Sequence, residues 1–367
     1  MKRLVLAGAG HAHALVLRQW ARQPLAGVEV VVVSPEPLAP YSGMVPGWLA
    51  GRYRFDEIVV DFPLLARAAG AHWLQGEIHA LDAARRRVVL ADGAHLDYDA
   101  LSLNVGSTLR PPPARHAVML PLRPLSLLRG RYEPLLERWT ADRGGGAFTV
   151  TAVGGGAAGF EAVLGVLHRL RGLRPDRVVH GRLVSRGNEL LPGLAGAARR
   201  AAGRALARSG VTVQLGSGWS DALDDASDLV LWATGAEAHD WQRDPARRGA
   251  LSVDDAGFVC IDASLRSISH PEVFAVGDCA SWPGRGLPKA GVHAVRMGPV
   301  LANNLGVALG SGHGTIARHR PQQQFLALLA TGDGRAIASR GALGAEGAWA
   351  WHWKDRIDRR FLAQFHP

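Results

Sequence analysis

The stretch Leu4-Val5-Leu6-Ala7-Gly8-Ala9-Gly10-His11-Ala12-His13 decides how the rest of the chain is read. Its four leading apolar residues predict a buried strand, Gly8 and Gly10 a tight turn with bare backbone, and Ala12 to Trp20 a helix. That order makes a cradle for a dinucleotide pyrophosphate. The helix end offers N–H groups and the positive pole of its dipole, and the second glycine lets the backbone come close. His13 stands where the GxGxxG fingerprint has its third glycine. Taken alone, the stretch also fits a strand-turn-helix that binds nothing.

A second copy and a distant carboxylate change the weighting. Phe148 to Val153 predicts a strand after the soft turn Gly144-Gly145-Gly146, and Gly154-Gly155-Gly156-Ala157-Ala158-Gly159 is a complete GxGxxG, with Glu161 inside a helix running to about Leu170. The next strand, Gly181 to Val184, ends at Ser185-Arg186 rather than at an acid. An arginine there suits a 2′-phosphate and favours NADPH over NADH; a solvated surface arginine is the alternative. After the first cradle, the strand Val28 to Val33 runs into Ser34, Pro35 and Glu36, leaving Ser34 or Glu36 to meet a ribose hydroxyl. Val273 to Val276 predicts another buried strand, followed by Gly277 and the lone carboxylate of Asp278, placed to accept from a polyol hydroxyl or to cap a helix.

Between these points Phe62 to Ala69 reads as helix, Arg87 to Leu90 with Ala91-Asp92-Gly93-Ala94 as a hairpin, and Ala100 to Val105, ending at Gly106-Ser107, as a strand returning to the sheet. Pro111-Pro112-Pro113 continues neither sheet nor helix, which sets a crossing between domains near 108–124. Leu229 to Trp232 runs as a strand into Ala233-Thr234-Gly235.

Composition narrows the class. The chain has 367 residues, 47% hydrophobic and 20% charged, enough for a sizeable core in two or three domains. There is no apolar run of about 18 residues to span a bilayer, and Lys2-Arg3-Leu4 leads into glycines instead of a secretory core, so a cytoplasmic location is expected. The net charge of +10 is nearly all arginine scattered among Ala and Gly, with Lys only at 2, 289 and 354, which argues against a nucleic-acid surface. Cys260 and Cys279 form no CxxC pair and fit a reducing compartment as packing residues. No metal-ligand pattern is read.

Together, the fingerprints at Gly8 and Gly154, Ala233-Thr234-Gly235 and Phe274-Ala275-Val276-Gly277-Asp278 resemble the two-dinucleotide-binding-domain flavoproteins of the pyridine nucleotide-disulfide oxidoreductase superfamily. The resemblance implies an α/β fold of two Rossmann-like domains. An FAD domain, 1–115 plus 256–330, is split by an NAD(P)H domain at 116–255, and 331–367 forms a C-terminal interface or flavin-covering segment. It implies cofactor contacts at Gly8, Gly10, His11, Ser34, Pro35, Gly106, Gly277 and Asp278, with Asp278 on the ribityl chain, and at Gly154, Gly156, Gly159, Glu161, Arg186 and Gly235.

Within the superfamily, four segments are similar to the flavoprotein module fused to some selenide, water dikinases. They are Gly10-His11-Ala12-His13, Pro40-Tyr41-Ser42-Gly43-Met44, Lys289-Ala290-Gly291-Val292-His293-Ala294-Val295-Arg296 and Trp353 to Phe361, and His13 is an accepted variant there. A free-standing form of that module, without the kinase half, is expected. Type II NADH dehydrogenases are related but carry glutamines where Val292 and Arg296 stand. Disulfide reductases have their cysteine pair near the Pro40-Tyr41 loop, where this chain has none, and sulfide:quinone oxidoreductases also use a flavin-side cysteine pair.

If FAD is bound, the flavin carries the redox step. Hydride transfer from NAD(P)H to flavin is expected, then delivery to a small acceptor, a quinone or a selenium or sulfur species. Lys289, read as the first residue of a helix after Pro288, is expected to stabilise charge on reduced flavin, and His293 with Arg296 to line the acceptor pocket; a surface lysine and a structural helix face are the alternatives. The rival reading is a flavoprotein partner in selenophosphate synthesis that does not turn over nicotinamide. The alternation Trp349-Ala350-Trp351-His352-Trp353 predicts a strand with its indoles on one side. That strand is read as covering the flavin, forming a homodimer contact, or lying on a membrane surface.

Overall fold

Runs of Val, Leu and Ala that cannot face water on either side set the two main sheets. The computed structural model describes residues 1–284, 289–311, 314–322 and 324–365. In chain order, β1 (Lys2–Ala7) leads into α1 (His11–Arg22), β2 (Val28–Ser34), α2 (Phe62–Ala68) and β3 (His72–Gln75). An antiparallel meander follows, β4 (Ile78–Asp82), β5 (Arg87–Leu90) and β6 (His95–Asp97), and then β7 (Ala100–Leu103).

The next unit comprises β8 (Val118–Pro121), α3 (Leu128–Ala141), β9 (Phe148–Val153), α4 (Ala157–Leu173), β10 (Val179–Ser185), α5 (Gly196–Arg208), β11 (Val211–Leu215) and β12 (Leu229–Trp232). The chain then returns through β13 (Val273–Ala275) to α6 (Gly291–Leu309), and closes with β14 (Ala327–Ala330), β15 (Ala336–Arg340), β16 (Leu343–Gly347) and α7 (Ala348–Leu362).

The first sheet has the order β13-β7-β1-β2-β3 and the second β8-β12-β9-β10-β11, with every neighbouring pair parallel. Thus β13, far along the chain, completes the sheet begun by β1. Leu4 to Ala7 are fully buried between strands and helices on both faces, with Val5 level with Val31 and Leu101. α1 packs on α6 over Ala12, Leu17, Met297 and Leu301, all buried.

The C-terminal alternation does not form a strand. Residues 348–362 are helical, with Ala350, Lys354, Asp358 and Leu362 buried at a four-residue spacing along one face, and the preceding strand β16 stops at Gly347. The indoles therefore divide between two faces. Trp349 and Trp353 stack at 6.2 Å on the outside, while Trp351 stacks on Tyr53 at 5.8 Å. Beneath them Lys354 and Asp358, one turn apart, form a buried ion pair at 2.6 Å, and Lys354 also donates to the Gly43 carbonyl. These bonds fix α7 to the 41–57 loop region, which Tyr53 Oη reinforces by donating to Asp355 at 2.6 Å.

Candidate functional site

Two glycine turns stand at equivalent places on the two sheets. Gly8 N–H donates to Val33 O at 2.7 Å and Gly154 N–H to Val184 O at 2.8 Å, so each turn leaves its first strand at the same level of its neighbour. Both glycines have positive φ, +100° and +130°, and a Cβ on either would overlap backbone at the end of the adjacent strand, Asn104 in one case and Ala233 in the other. Gly10 and Gly156 precede α1 and α4 with extended backbone and, being glycine, supply no cap of their own.

Asn104 organises the first turn. Its Oδ1 accepts from the N–H groups of Ala12 at 3.1 Å and His13 at 3.3 Å, and its Nδ2 donates to Val276 O at 3.0 Å. A Cβ on Gly10 would overlap this side chain, and one on Gly277 would come within 2.8 Å of its nitrogen. Two distant segments, Gly8 to His13 and Val276 to Gly277, therefore meet around one amide.

At this junction Arg123 donates to both Ser107 Oγ and an Asp278 carboxylate oxygen, while Ser107 Oγ lies 3.4 Å from the same oxygen. Asp278 is thus placed beside the first cradle. His11 is partly buried against Tyr41 at 5.3 Å and Phe361 at 6.3 Å, and its Nε2 has no hydrogen-bond partner among the described residues. Burial lowers its pKa to about 4 against an upward pull from Asp278, so the ring is neutral near pH 7.

His13 occupies the third-glycine place as a strut. Its Nδ1 lies 2.7 Å from Gly8 O and its Nε2 2.8 Å from Ser102 Oγ. A carbonyl can only accept, so Nδ1 carries the proton and Nε2 accepts from the serine. Burial holds this ring neutral too, with a pKa lowered to about 4.

The remaining expected contacts divide. Ser34 is buried, donating to Glu36 O at 2.7 Å and accepting from Trp73 Nε1 at 3.2 Å, and Pro35 O accepts from Gln75 at 2.9 Å. Their polar groups are engaged within the protein, whereas the Glu36 side chain is half-exposed at the strand end. In the second turn, Gly156 and Gly235 have nothing within 4 Å of a built Cβ, and a Cβ on Gly159 would overlap Gly154 O. Arg186 is exposed at the end of β10.

Glu161 is displaced from the phosphate cradle. It lies one turn into α4 and accepts from Ala330 N–H at 2.7 Å; burial pushes its carboxyl up to about 7 against the downward pull of Lys354.

Lys289 is not a helix-initiating residue. α6 begins at Gly291, and Pro288 lies outside the described residues. The Lys289 ammonium donates to Ala280 O at 2.6 Å and sits 3.6 Å over the Phe258 ring, where burial lowers its pKa. His293 and Arg296 do share α6, but His293 is buried and Arg296 exposed.

Cys279 is buried with its thiol directed at Leu103 O and Val276 O, each 3.3 Å away, and burial pushes it up to about 11; both cysteines are free. Asn104, Ser107, Arg123, Lys354 and Asp358 were not among the expected site residues.

The residues present fit the two expected nucleotide groups. The first turn offers bare backbone at Gly10 and His11, an unpartnered imidazole nitrogen and a carboxylate for hydroxyls; the second offers an uncapped helix end and open space over two glycines. No helix among the described residues is long and apolar enough to cross a membrane.

Comparison with known proteins places this geometry. The family described as pyridine nucleotide-disulphide oxidoreductase matches residues 2–298. The large subunit of nitrite reductase [NAD(P)H] from Klebsiella oxytoca is 28% identical over 34% of this chain, which spans only 16% of that protein's length. Ferroptosis suppressor protein 1 from Taeniopygia guttata is 25% identical, over 83% of this chain and 80% of its own. Among solved structures, the sulfide:quinone oxidoreductase of Aquifex aeolicus superposes with a TM-score of 0.76 at 16% identity, covering 100% of this chain and 91% of the other.

Proposed function

The chain belongs to the pyridine nucleotide-disulphide oxidoreductase family, whose cofactors are FAD and NAD(P)H, and from that premise we propose that it oxidises NAD(P)H and passes the electrons to a small acceptor of the quinone class. The observation that carries this reading is the meeting of Gly8 to His13, Asn104 and Gly277 to Asp278 in one crevice, with an open second cradle on the other sheet. FAD, when bound at the first cradle, supplies the two-electron centre.

The protein's own groups then have separable tasks. Gly10 and His11 receive the pyrophosphate with backbone N–H groups, Asp278 accepts from the ribityl hydroxyls, and Glu36 takes the ribose in place of the internally bonded Ser34. Gly154, Gly156, Gly159 and Gly235 seat the nicotinamide dinucleotide, and Arg186 meets a 2′-phosphate if NADPH is used. Glu161, bonded to Ala330 N–H, and the Lys354–Asp358 pair have structural tasks, joining α4 and α7 to their neighbours. Cys279, buried and protonated, takes no part as a nucleophile. The fold of the sulfide:quinone oxidoreductase supports a quinone over a selenium species, while a partner role in selenophosphate synthesis would share these cradles without nicotinamide turnover.

Anaerobic stopped-flow mixing of the yellow protein with NADH or NADPH separates the two readings. Bleaching of the flavin band within a catalytic turnover is expected; a band that persists against both nucleotides rejects the oxidoreductase.

A further inference from the structure

Trp219 is left without a task by the cradles. It lies on the segment 216–219 that follows β11, and two backbone bonds pin that segment to the end of β10: Ser217 N–H donates to Ser185 O at 2.9 Å and Gly216 N–H to Gly187 O at 3.2 Å. A Cβ built on Gly218 would lie 3.5 Å from Cγ of Arg186. The Trp219 ring then meets Trp232, the last residue of β12, edge to face at 6.2 Å and 90°. In the second sheet β9 lies between β10 and β12, so the segment spans the end of the very strand that carries the glycine turn.

The contacts close back on the second cradle. Trp232 is level with Val153, the residue before Gly154, and a Cβ on Gly154 would overlap the carbonyl of Ala233, which follows Trp232. On the other side, a Cβ on Gly155 would come within 2.8 Å of Ser185 Oγ, and Leu191 N–H donates to Gly155 O at 2.8 Å. Gly154, Gly155, Ser185, Arg186, Trp219 and Trp232 therefore ring one corner of the sheet at its strand ends. Trp232 is 8% exposed, and its Nε1 has no hydrogen-bond partner among the described residues, while Trp219 is only partly buried. A buried donor without an acceptor is rare in a core built for packing alone.

A dinucleotide on such a turn has its pyrophosphate at the start of the helix and its adenosine ribose at the end of the next strand, here α4 and β10. The base then lies beside Arg186, within reach of the segment that Trp219 ends. A base offers a π-face, and an indole is the broadest face a side chain can set against it. We propose that Trp219 is the stacking platform for the adenine of the nicotinamide dinucleotide, with Trp232 bracing the edge of the platform. This rests on the reading above that the second cradle seats such a dinucleotide. Trp219 is a positioning residue: it holds the adenosine end and takes no part in hydride transfer.

The test uses FAD-loaded protein and two probes. ADP-ribose carries the adenosine end without a nicotinamide, and reduced nicotinamide mononucleotide carries the hydride without an adenine. In Trp219→Ala the dissociation constant of ADP-ribose, read by calorimetry, is expected to rise at least about tenfold, whereas Trp219→Phe, which keeps a ring, should lose less than about threefold. The mononucleotide should reduce the flavin equally fast in all three proteins. In the unmodified protein, the adenine protons of bound ADP-ribose should show nuclear Overhauser contacts with the Trp219 indole. An unchanged affinity for ADP-ribose in Trp219→Ala overturns the platform, and so does an equal fall in the mononucleotide rate, which marks a merely structural residue. Absence of the Overhauser contacts also overturns it, a result that stands even if the variants fail to fold. If ADP-ribose does not bind the unmodified protein, the platform falls together with the second cradle. If it binds as described while NAD(P)H and the mononucleotide leave the flavin unbleached, the oxidoreductase reading fails and the platform stands.

Discussion

The two cradles share a backbone and differ in how their helix ends are finished. Asn104 and Ala233 are equivalent: each donates its N–H to the last residue before the turn, Ala7 at 2.8 Å and Val153 at 2.9 Å. In the first cradle the Asn104 amide fills the turn and binds the N–H groups of Ala12 and His13, and His13 braces Gly8 and Ser102. In the second, Ala233 has no polar group to reach the helix, and Gly159 packs directly on Gly154.

A side-chain network tying β1, β7 and β13 preorganises the first site, which lowers the ordering cost of a resident cofactor. An uncapped helix end retains its N–H groups for a ligand that arrives and leaves. On the proposed function, the contrast teaches that two similar glycine turns would serve two kinds of occupancy, according to the residue closing the neighbouring strand.

The largest effect should follow from Asn104→Ala. It strands two N–H groups and a carbonyl at roughly 1–3 kcal/mol each, so a loss of at least about 3 kcal/mol in urea unfolding is expected, with loss of bound flavin through gel filtration. Retention of yellow colour with unchanged stability would erase the distinction between the cradles. Gly159→Val attacks the other side. The added carbons would force α4 away from Gly154 O, and bleaching by nicotinamide should slow by about a hundredfold while the flavin stays bound.

His13 adds a pH signature that Gly159 has no means to give. Its pKa, lowered to about 4 in the folded protein from an ordinary value near 6.5, means the unfolded chain binds the extra proton first on acidification. This stabilisation is complete above about pH 6.5 and is lost towards pH 4, at about 1.4 kcal/mol per pH unit. His11 follows the same sign, while Glu161, raised to about 7, acts in the opposite sense by favouring folding at the acid end of its window. Comparing urea unfolding of the unmodified protein with His13→Gln between pH 7 and 4.5 isolates the His13 slope; parallel curves would contradict its buried, neutral state. The smallest effect belongs to Arg186→Ala, expected to weaken NADPH binding about tenfold, near 1.4 kcal/mol, and to leave NADH unchanged in fluorescence titrations.

Much of the architecture could be read because its signals are local. Glycines at fixed spacing after an apolar run locate both turns, and Val273 to Asp278 announces a returning strand within six residues. What closes the site is not local. Asn104 acts on partners 92 and 172 residues away, and an asparagine after a strand carries no mark of that task in sequence. Arg123 reaches Asp278 across 155 residues for the same reason. The tryptophan tail misleads because five residues are too few to fix a period, and it is the four-residue spacing of the buried Ala350, Lys354, Asp358 and Leu362 that decides. Ser34 reads as available because the indole that donates to it, Trp73, lies 39 residues away and is brought there by the pairing of β2 with β3.

The most direct trial of unequal cradles is a retention experiment with both nucleotides. Protein loaded with FAD and oxidised NADP⁺ or NAD⁺ is passed through gel filtration, and the bound ligands are measured by absorbance and mass spectrometry. One FAD per chain retained, with the nicotinamide dinucleotide washed away, is the predicted result. A colourless chain, or one that keeps the nicotinamide dinucleotide and releases FAD, would contradict the account.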